Sequence, residues 1–385
     1  MLKSELKKSW STLGMVMLPV LGQADVSAGN DVKSNANAGY LPGEMVKVGQ
    51  LPAGYNQSSS FVCQNPWNVF LTADYTYWIW QQELLEVATL VTPTAAGAAG
   101  FLNGTSEVIF QTPGYTSGFQ VGLGCNLRGV DDWIVYSEYT WYQNSDSMRT
   151  LAGDSQYLAV SPLLIKHVGG ATPGVLLSDN LFTKARIHVN DLDLVMQRPF
   201  YFGKKLTANF IAGLHALWIN QTFKATGSEL SFIGSNANIP IHVNGAFNSN
   251  YQQRSWGLGP KFGVDSNWLL GCGVRIMGSM AMSALYTSYI RLNSQVTGSV
   301  SDVNLATLTI DQSHNYNTVN PVLQSSLGMG WGSYFAHNNM HFDVSACYDF
   351  NVFWSQDIIN SLLNVGGSPG NMLLQGLNIQ ARFDF

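Results

Sequence analysis

Residues whose types and spacing suggest chemistry are few in this chain of 385 residues, and each grouping is judged by the element that would carry it. Gly366-Gly367-Ser368-Pro369-Gly370 has the G-x-S-x-G spacing of a hydrolase nucleophile elbow, which uses the N–H of the residue after the serine in its oxyanion hole. Pro369 has no N–H, and the surrounding glycines make this stretch a surface loop. His337 and His341 lie four apart with Asp343 nearby, a spacing that builds a metal face on a helix but not on a turn leading into a strand. Gly257, Gly259 and Gly263, like Gly122 and Gly124, alternate with larger residues and suit small strand positions or kinks better than a phosphate loop. No Ser/His/acid constellation emerges, so no enzyme, cofactor or metal is expected.

A second group of candidates is charged. Asp74, Arg128, Glu138, Lys261, Arg275, Asp343, Asp349 and Arg382 each fall opposite an apolar face in a segment of period two. On a lipid-facing surface at mid-depth a Lys or Arg costs about 2–4 kcal/mol, which places these residues towards an interior. Charges of both signs there either line a water path and bias which ions pass, or pair with one another and plug the space. The choice depends on strand number, since about 8 strands leave a filled interior and 16 to 18 an open channel.

The elements that must position these charges follow from composition and pattern. Only 11% of residues are charged and 12% are aromatic, against roughly 25% charged in a soluble chain. No apolar run of about 20 residues supports a membrane helix. The best stretch after the N-terminus, Leu206 to Phe223, contains Asn209, His215, Asn220 and Gln221. As a strand it sets Leu206, Ala208, Phe210, Ala212, Leu214, Ala216 and Trp218 on one face. Phe342, Val344, Ala346, Tyr348, Phe350, Val352 and Trp354 alternate likewise with His341, Asp343, Ser345, Cys347, Asp349 and Asn351. Such lengths exceed the 5 to 6 residues usual in a sandwich and match the 9 to 11 that cross a bilayer.

The reading is therefore an all-β transmembrane antiparallel up-and-down β-barrel. Aromatics near strand ends, among them Tyr75, Tyr77, Trp78 and Trp80, Tyr139, Trp141 and Tyr142, and Phe350, Phe353 and Trp354, are assigned to interfacial girdles. The opposite faces, rich in Gly, Ser, Asn and Thr, suit a hydrated lumen. Connections alternate in length: long at 82–115, 144–182, 222–252 and 356–370, short at 129–132, 199–205, 265–267 and 336–339. Short turns then face the periplasm and long loops the outside. About 12 strands are expected within a range of 10–16, near 67–80, 116–128, 131–143, 184–198, 205–220, 253–265, 268–278, 281–292, 300–312, 320–333, 339–354 and 372–385. A single element from Trp268 to Leu292, with Val300 to Ile310 in a loop, reduces the count to 10.

Three lysines ahead of the short apolar stretch STLGMVMLPVLG give residues 1–24 the layout of a signal peptide, cleaved after Ala24 or, second, after Ala28. Residues 25–64 read as an irregular segment and 65–385 as the barrel. A net charge of −5 without long basic runs excludes a nucleic-acid footprint. Cys272 and Cys347 fall in expected strands, and a Cys63–Cys125 bridge is left open for an oxidising compartment. At the C-terminus, Phe385, Phe383, Ala381 and Ile379 share a face, a pattern that resembles the outer-membrane insertion signal read by the barrel-assembly machinery.

The runs LDLVMQRPFYFGKKLTANFIAGLHALWINQ (192–221), SWGLGPKFGVDSNWLLGCG (255–273), HFDVSACYDFNVFW (341–354) and LQGLNIQARFDF (374–385) resemble the Legionella-type major outer membrane proteins, a family found also in chlamydia-like bacteria. The resemblance covers roughly Trp67 to Phe385. It implies a pore-forming bacterial outer-membrane protein without catalytic residues. Passive diffusion of small hydrophilic solutes is then the expected function, by a monomer or small oligomer seated in outer-membrane lipid. The alternative is a structural or surface-interaction barrel with a plugged lumen, acting through its long outer loops.

Overall fold

Period two over ten or more residues forces an extended chain with one apolar and one polar side, and such a chain in lipid satisfies its backbone only by pairing on both edges. The computed structural model describes residues 58, 59, 61, 63, 68–83, 86–92, 104–127, 132–153, 156–160, 174–202, 204–234, 241–242, 245–300, 316–357 and 369–385. Most of the expected leader and irregular segment lies outside them. Among the described residues are β1 (Val69–Gln82), β2 (Glu86–Thr92), β3 (Thr105–Phe110), β4 (Tyr115–Leu127), β5 (Trp133–Leu151), β6 (Tyr157–Val160) and β7 (Gly174–Tyr201). They continue as β8 (Leu206–Gly234), β9 (Ile241–His242), β10 (Gly245–Gly271), β11 (Val274–Val300), β12 (Tyr316–Phe335), β13 (Met340–Asp357) and β14 (Gly370–Asp384).

All pairings are antiparallel, and ten of these strands close a ring in the order β1, β4, β5, β7, β8, β10, β11, β12, β13, β14. The ring closes where β14 meets β1, in unbroken register from Phe70↔Asp384 to Gln82↔Met372. The Phe385 N–H extends that ladder by donating to the Val69 carbonyl at 2.9 Å. The small strands β2, β3, β6 and β9 add to the ends of β7 and β8 that face the long connections.

Ten is the lower of the two expected counts. The turn expected at 265–267 is absent, and β10 runs through Asp265, Ser266 and Asn267 in ladder with both neighbours. The chain reverses instead at Cys272 and Gly273, with φ of 53° and 80°, the two successive left-handed residues of a type I′ hairpin. Cys272 is thus an exposed turn residue and not a strand residue, while Cys347 does lie in β13. Val300 ends β11, and the rest of the expected strand at 300–312 lies outside the described residues. Ring strands also extend into two of the expected loops, β5 reaching Leu151 and β7 starting at Gly174, β8 reaching Gly234 and β10 starting at Gly245, and a third, 82–115, carries β2 and β3. Beyond the bilayer the outward face meets water in place of lipid while inward residues such as Thr183, Ala225 and Ser249 stay buried, so the apolar-outside pattern that marks a strand in the sequence is lost while the ladder continues.

On β8, Leu206, Phe210, Leu214 and Trp218 all face outward and are exposed in the isolated chain. Twelve residues at about 3.4 Å each and a tilt near 40° span roughly 30 Å, the thickness of the hydrocarbon layer. Aromatic pairs mark its borders: Phe119 with Trp141 and Trp256 with Tyr286 towards the long loops, Phe342 with Phe383 towards the short turns.

The interior departs from a uniformly hydrated lumen. Trp78, Trp80, Tyr142 and Phe353, expected in a girdle, point inward and are at most 3% exposed. With Ile187, Ile219, Leu285, Val322, Met372 and Leu374 they form an apolar layer across the outer half of the barrel, drawn from eight of the ten ring strands. Parity explains the misassignment: these aromatics fall on the Asp74 and Asp349 side of their strands, where a ten-stranded ring leaves only enough width for large side chains to meet.

The charged chamber of the barrel

Below the apolar layer the inward positions become polar. Asp74 on β1, Glu138 on β5, Lys261 on β10, Arg275 on β11, Asp343 and Asp349 on β13 and Arg382 on β14 all border one cavity of about 330 Å³. Seven of the eight expected interior charges are thus brought together, and Arg128 lies outside the described residues. Three inward acids and a histidine join them that alternation alone did not single out: Asp191 and Asp193 on β7, Asp265 on β10 and His215 on β8. Their signal is in the sequence, since each lies next to a lipid-facing Leu, Val or Ala, but the sequence reading puts Asp265 in a turn and does not single out Asp191, Asp193 or His215 as inward groups.

Most charges are held by specific partners. The Lys261 Nζ donates to Asp193 Oδ2 at 2.5 Å. His215 bridges β7 and β11, with Nε2 2.8 Å from Asp191 Oδ1 and Nδ1 2.9 Å from Ser283 Oγ. Arg275 reaches across β12 to grip Asp343 with both terminal nitrogens, Nη2 donating to Oδ1 at 2.7 Å and Nη1 to Oδ2. Its Nε donates to Asn267 Oδ1 at 3.1 Å. Gly330 and Gly332 on β12 make that reach possible: a Cβ at Gly330 would come within 3.0 Å of the guanidinium, and one at Gly332 within 2.6 Å of Asp343 Oδ2. Asp74 accepts from Gln380 at 3.0 Å and Asp349 from Asn378 at 3.0 Å.

The floor of the chamber is aromatic and cationic. Arg382 lies 3.8 Å over the Phe70 ring and 5.3 Å from Phe61, and donates to Asp384 at 2.6 Å. Phe61, from the segment ahead of β1, stacks on His341 at 4.3 Å, and His341 Nδ1 sits 3.0 Å from Asp384 Oδ2. His337 belongs to the β12–β13 turn, whereas His341 stacks on Phe61 and contacts Asp384, so the two do not converge. Glycines at 118, 122 and 124 on β4 lie on the lumen side, where Gly124 seats the Phe70 ring: a Cβ there would fall 2.0 Å from it.

Asp191, Asp193 and His215 are the grouping whose ligand atoms lie within 4.8 Å of one another, among the described residues. The Lys261 ammonium already supplies the cation for Asp193, so the arrangement is an ion-pair network with its charge met from within the chain. The four cysteines are unbridged, Cys63 buried and Cys125 partly so. Of the GGSPG loop, Ser368 lies outside the described residues. Several buried oxygens facing this region, including Asp74 Oδ1, Asp193 Oδ1, Asn209 Oδ1 and Asn378 Oδ1, have no protein partner. At about 30 Å³ per molecule the cavity has room for on the order of ten waters to serve them. The cavity can therefore hold water beside charges of both signs. Above it the apolar layer of Trp78, Trp80, Tyr142 and Phe353 reaches into the lumen.

No protein of curated function matches the sequence. Among solved structures, the outer membrane protease OmpT of Escherichia coli aligns at 7% identity over 85% of this chain and 99% of its own, with a TM-score of 0.34. A Pseudomonas aeruginosa FadL homologue aligns at 8% identity over 82% and 89%, TM-score 0.24. The Ralstonia pickettii toluene transporter TbuX aligns at 8% over 83% and 92%, TM-score 0.20. The family described as Legionella pneumophila major outer membrane protein precursor matches residues 67–385, from just ahead of β1 to the last residue of the ladder that closes the ring. That match spans most of the chain, and the protein is an outer-membrane β-barrel belonging to the Legionella major outer membrane protein family.

Proposed function

We propose that this barrel passes ions and small hydrophilic solutes passively across the outer membrane, without catalysis or cofactor, and that the apolar layer sets how readily it conducts. The observation that carries the reading is the chamber itself: charges of both signs and partnerless oxygens share one cavity of about 330 Å³. A closed hydrophobic constriction in series with a charged vestibule is a form of gate that blocks by excluding water. Outer-membrane lipid and the assembly machinery are its partners, and it works as a monomer or small oligomer.

A second reading, a permanently plugged anchor acting through its outer loops, is favoured by the breadth of the apolar layer, to which eight of the ten ring strands contribute. Single-channel recording in planar bilayers separates the two. Wild type is expected to show small discrete currents, and Trp80→Ala with Phe353→Ala to show larger ones because both rings are removed from the constriction. Silence of both proteins, at several voltages and with folding verified, would establish the anchor.

A further inference from the structure

The outer wall of the barrel carries a cationic patch that neither permeation nor anchoring uses. Just beyond Trp218 and Trp256, the outward face of β5, β7, β8 and β10 presents Arg149, Lys184, Arg186, Lys224 and Arg254. Among the described outward residues at this level there is no carboxylate, although the whole chain has a net charge of −5. Lys184 and Lys224 are direct partners in the β7–β8 ladder, and Arg186 faces Thr222 one step nearer the membrane. Like charges placed directly opposite on one face repel and destabilise the pair. No ion pair among the described residues relieves Lys184, Arg186 or Lys224, which together with Thr222 and Gln252 line a recess of about 250 Å³.

Position specifies the ligand. Arg254 is two residues beyond Trp256, and Lys224 is six beyond Trp218, so the patch begins at the hydrocarbon border and rises roughly 15 Å above it on the long-loop side. That is the depth of phosphorylated sugar headgroups in the outer leaflet. Arginine and lysine bind phosphate through charge-assisted hydrogen bonds, arginine in a bidentate fashion, and Thr222 and Gln252 add neutral donors for sugar and phosphate oxygens. We infer that the outward face of β7–β8–β10 is a binding site for the phosphorylated headgroup of lipopolysaccharide, with one phosphate seated between Lys184, Arg186 and Lys224.

The test uses the purified full chain folded in neutral detergent, with bisphosphorylated lipid A as the probe and fully dephosphorylated lipid A as its control, binding being read by native mass spectrometry. Wild type is expected to prefer the phosphorylated form, and K184Q/R186Q/K224Q to weaken its binding about 100-fold, at roughly one fivefold step per cation near the membrane surface. K204Q/K205Q, at the short-turn end of the barrel, is expected to bind as wild type does. Folding is checked by heat-dependent gel mobility, and should the triple variant fail to fold, R186Q alone is expected to weaken binding about fivefold. Equal binding by the patch variants and wild type, equal binding of the two lipid A forms, or displacement by inorganic phosphate at the same concentration as the lipid would each overturn the assignment, the last in favour of a generic anion site.

Discussion

Arg275 and Asp343 offer the sharpest test of how the chamber is held. The pair joins β11 to β13 across the two glycines of β12, and the carboxylate is 1% exposed. Removing one member of a buried pair leaves an uncompensated charge and costs about 3–5 kcal/mol. The chamber has room for water, so Arg275→Met is expected near the low end, about 3 kcal/mol. Asp343→Asn keeps an acceptor for the guanidinium and is expected to cost about 2 kcal/mol. The double variant removes both charges and should be less damaged than the sum, with a coupling of about 2 kcal/mol, or roughly 30-fold in the unfolding constant. Denaturant unfolding of the barrel refolded into phospholipid vesicles, followed by the fluorescence of the ten tryptophans from Trp67 to Trp354, supplies all four corners of the cycle. Costs that add to within about 0.5 kcal/mol would refute the view that the two residues act as one unit.

Two further outcomes follow from the packing. Gly124→Ala must displace the Phe70 ring and with it the Arg382 stack, and is expected to destabilise by about 1–3 kcal/mol in the same unfolding assay; a change below about 0.5 kcal/mol would mean that the ring is not seated on that glycine. Deleting Phe385 removes the N–H that bonds Val69 and the last aromatic of the β14 outward face, so the yield of barrel in isolated outer membranes should fall, and an unchanged yield would remove this residue from the insertion signal.

How far the sequence foretold this molecule can be judged residue by residue. Alternation located the membrane-crossing part of the ring strands other than β11, which it split at 279–280, because there the two faces meet different media: Leu71 and Tyr75 meet lipid, Thr72 and Asp74 the interior. The same contrast placed Asp343 and Lys261 inside, and the structure adds how they are paired, which depends on register between strands that parity does not encode. Misreadings cluster where the contrast fails. Asp265-Ser266-Asn267 has turn composition but sits in a ladder, while the reversal uses Gly271-Cys272-Gly273, whose glycines had been absorbed into a strand. Trp78 and Trp80 were assigned by proximity to a strand end, although their even positions, shared with Asp74, already put them within.

The ring is also uneven in height. β7, β8, β10 and β11 run 27 to 29 residues, whereas β1, β4 and β14 run 13 to 15. At about 3.4 Å per residue and a tilt near 40°, the taller flank is roughly 70 Å long, more than twice the bilayer's hydrocarbon depth. A hydrogen-bonded parapet therefore rises from one side of the cell surface, and its outward face is assembled from residues of adjacent strands that are tens of positions apart in sequence, such as Lys184 and Lys224. Antibodies raised against linear peptides from this flank would meet none of their epitopes as free chain on the intact bacterium, whereas sera raised against the folded barrel would.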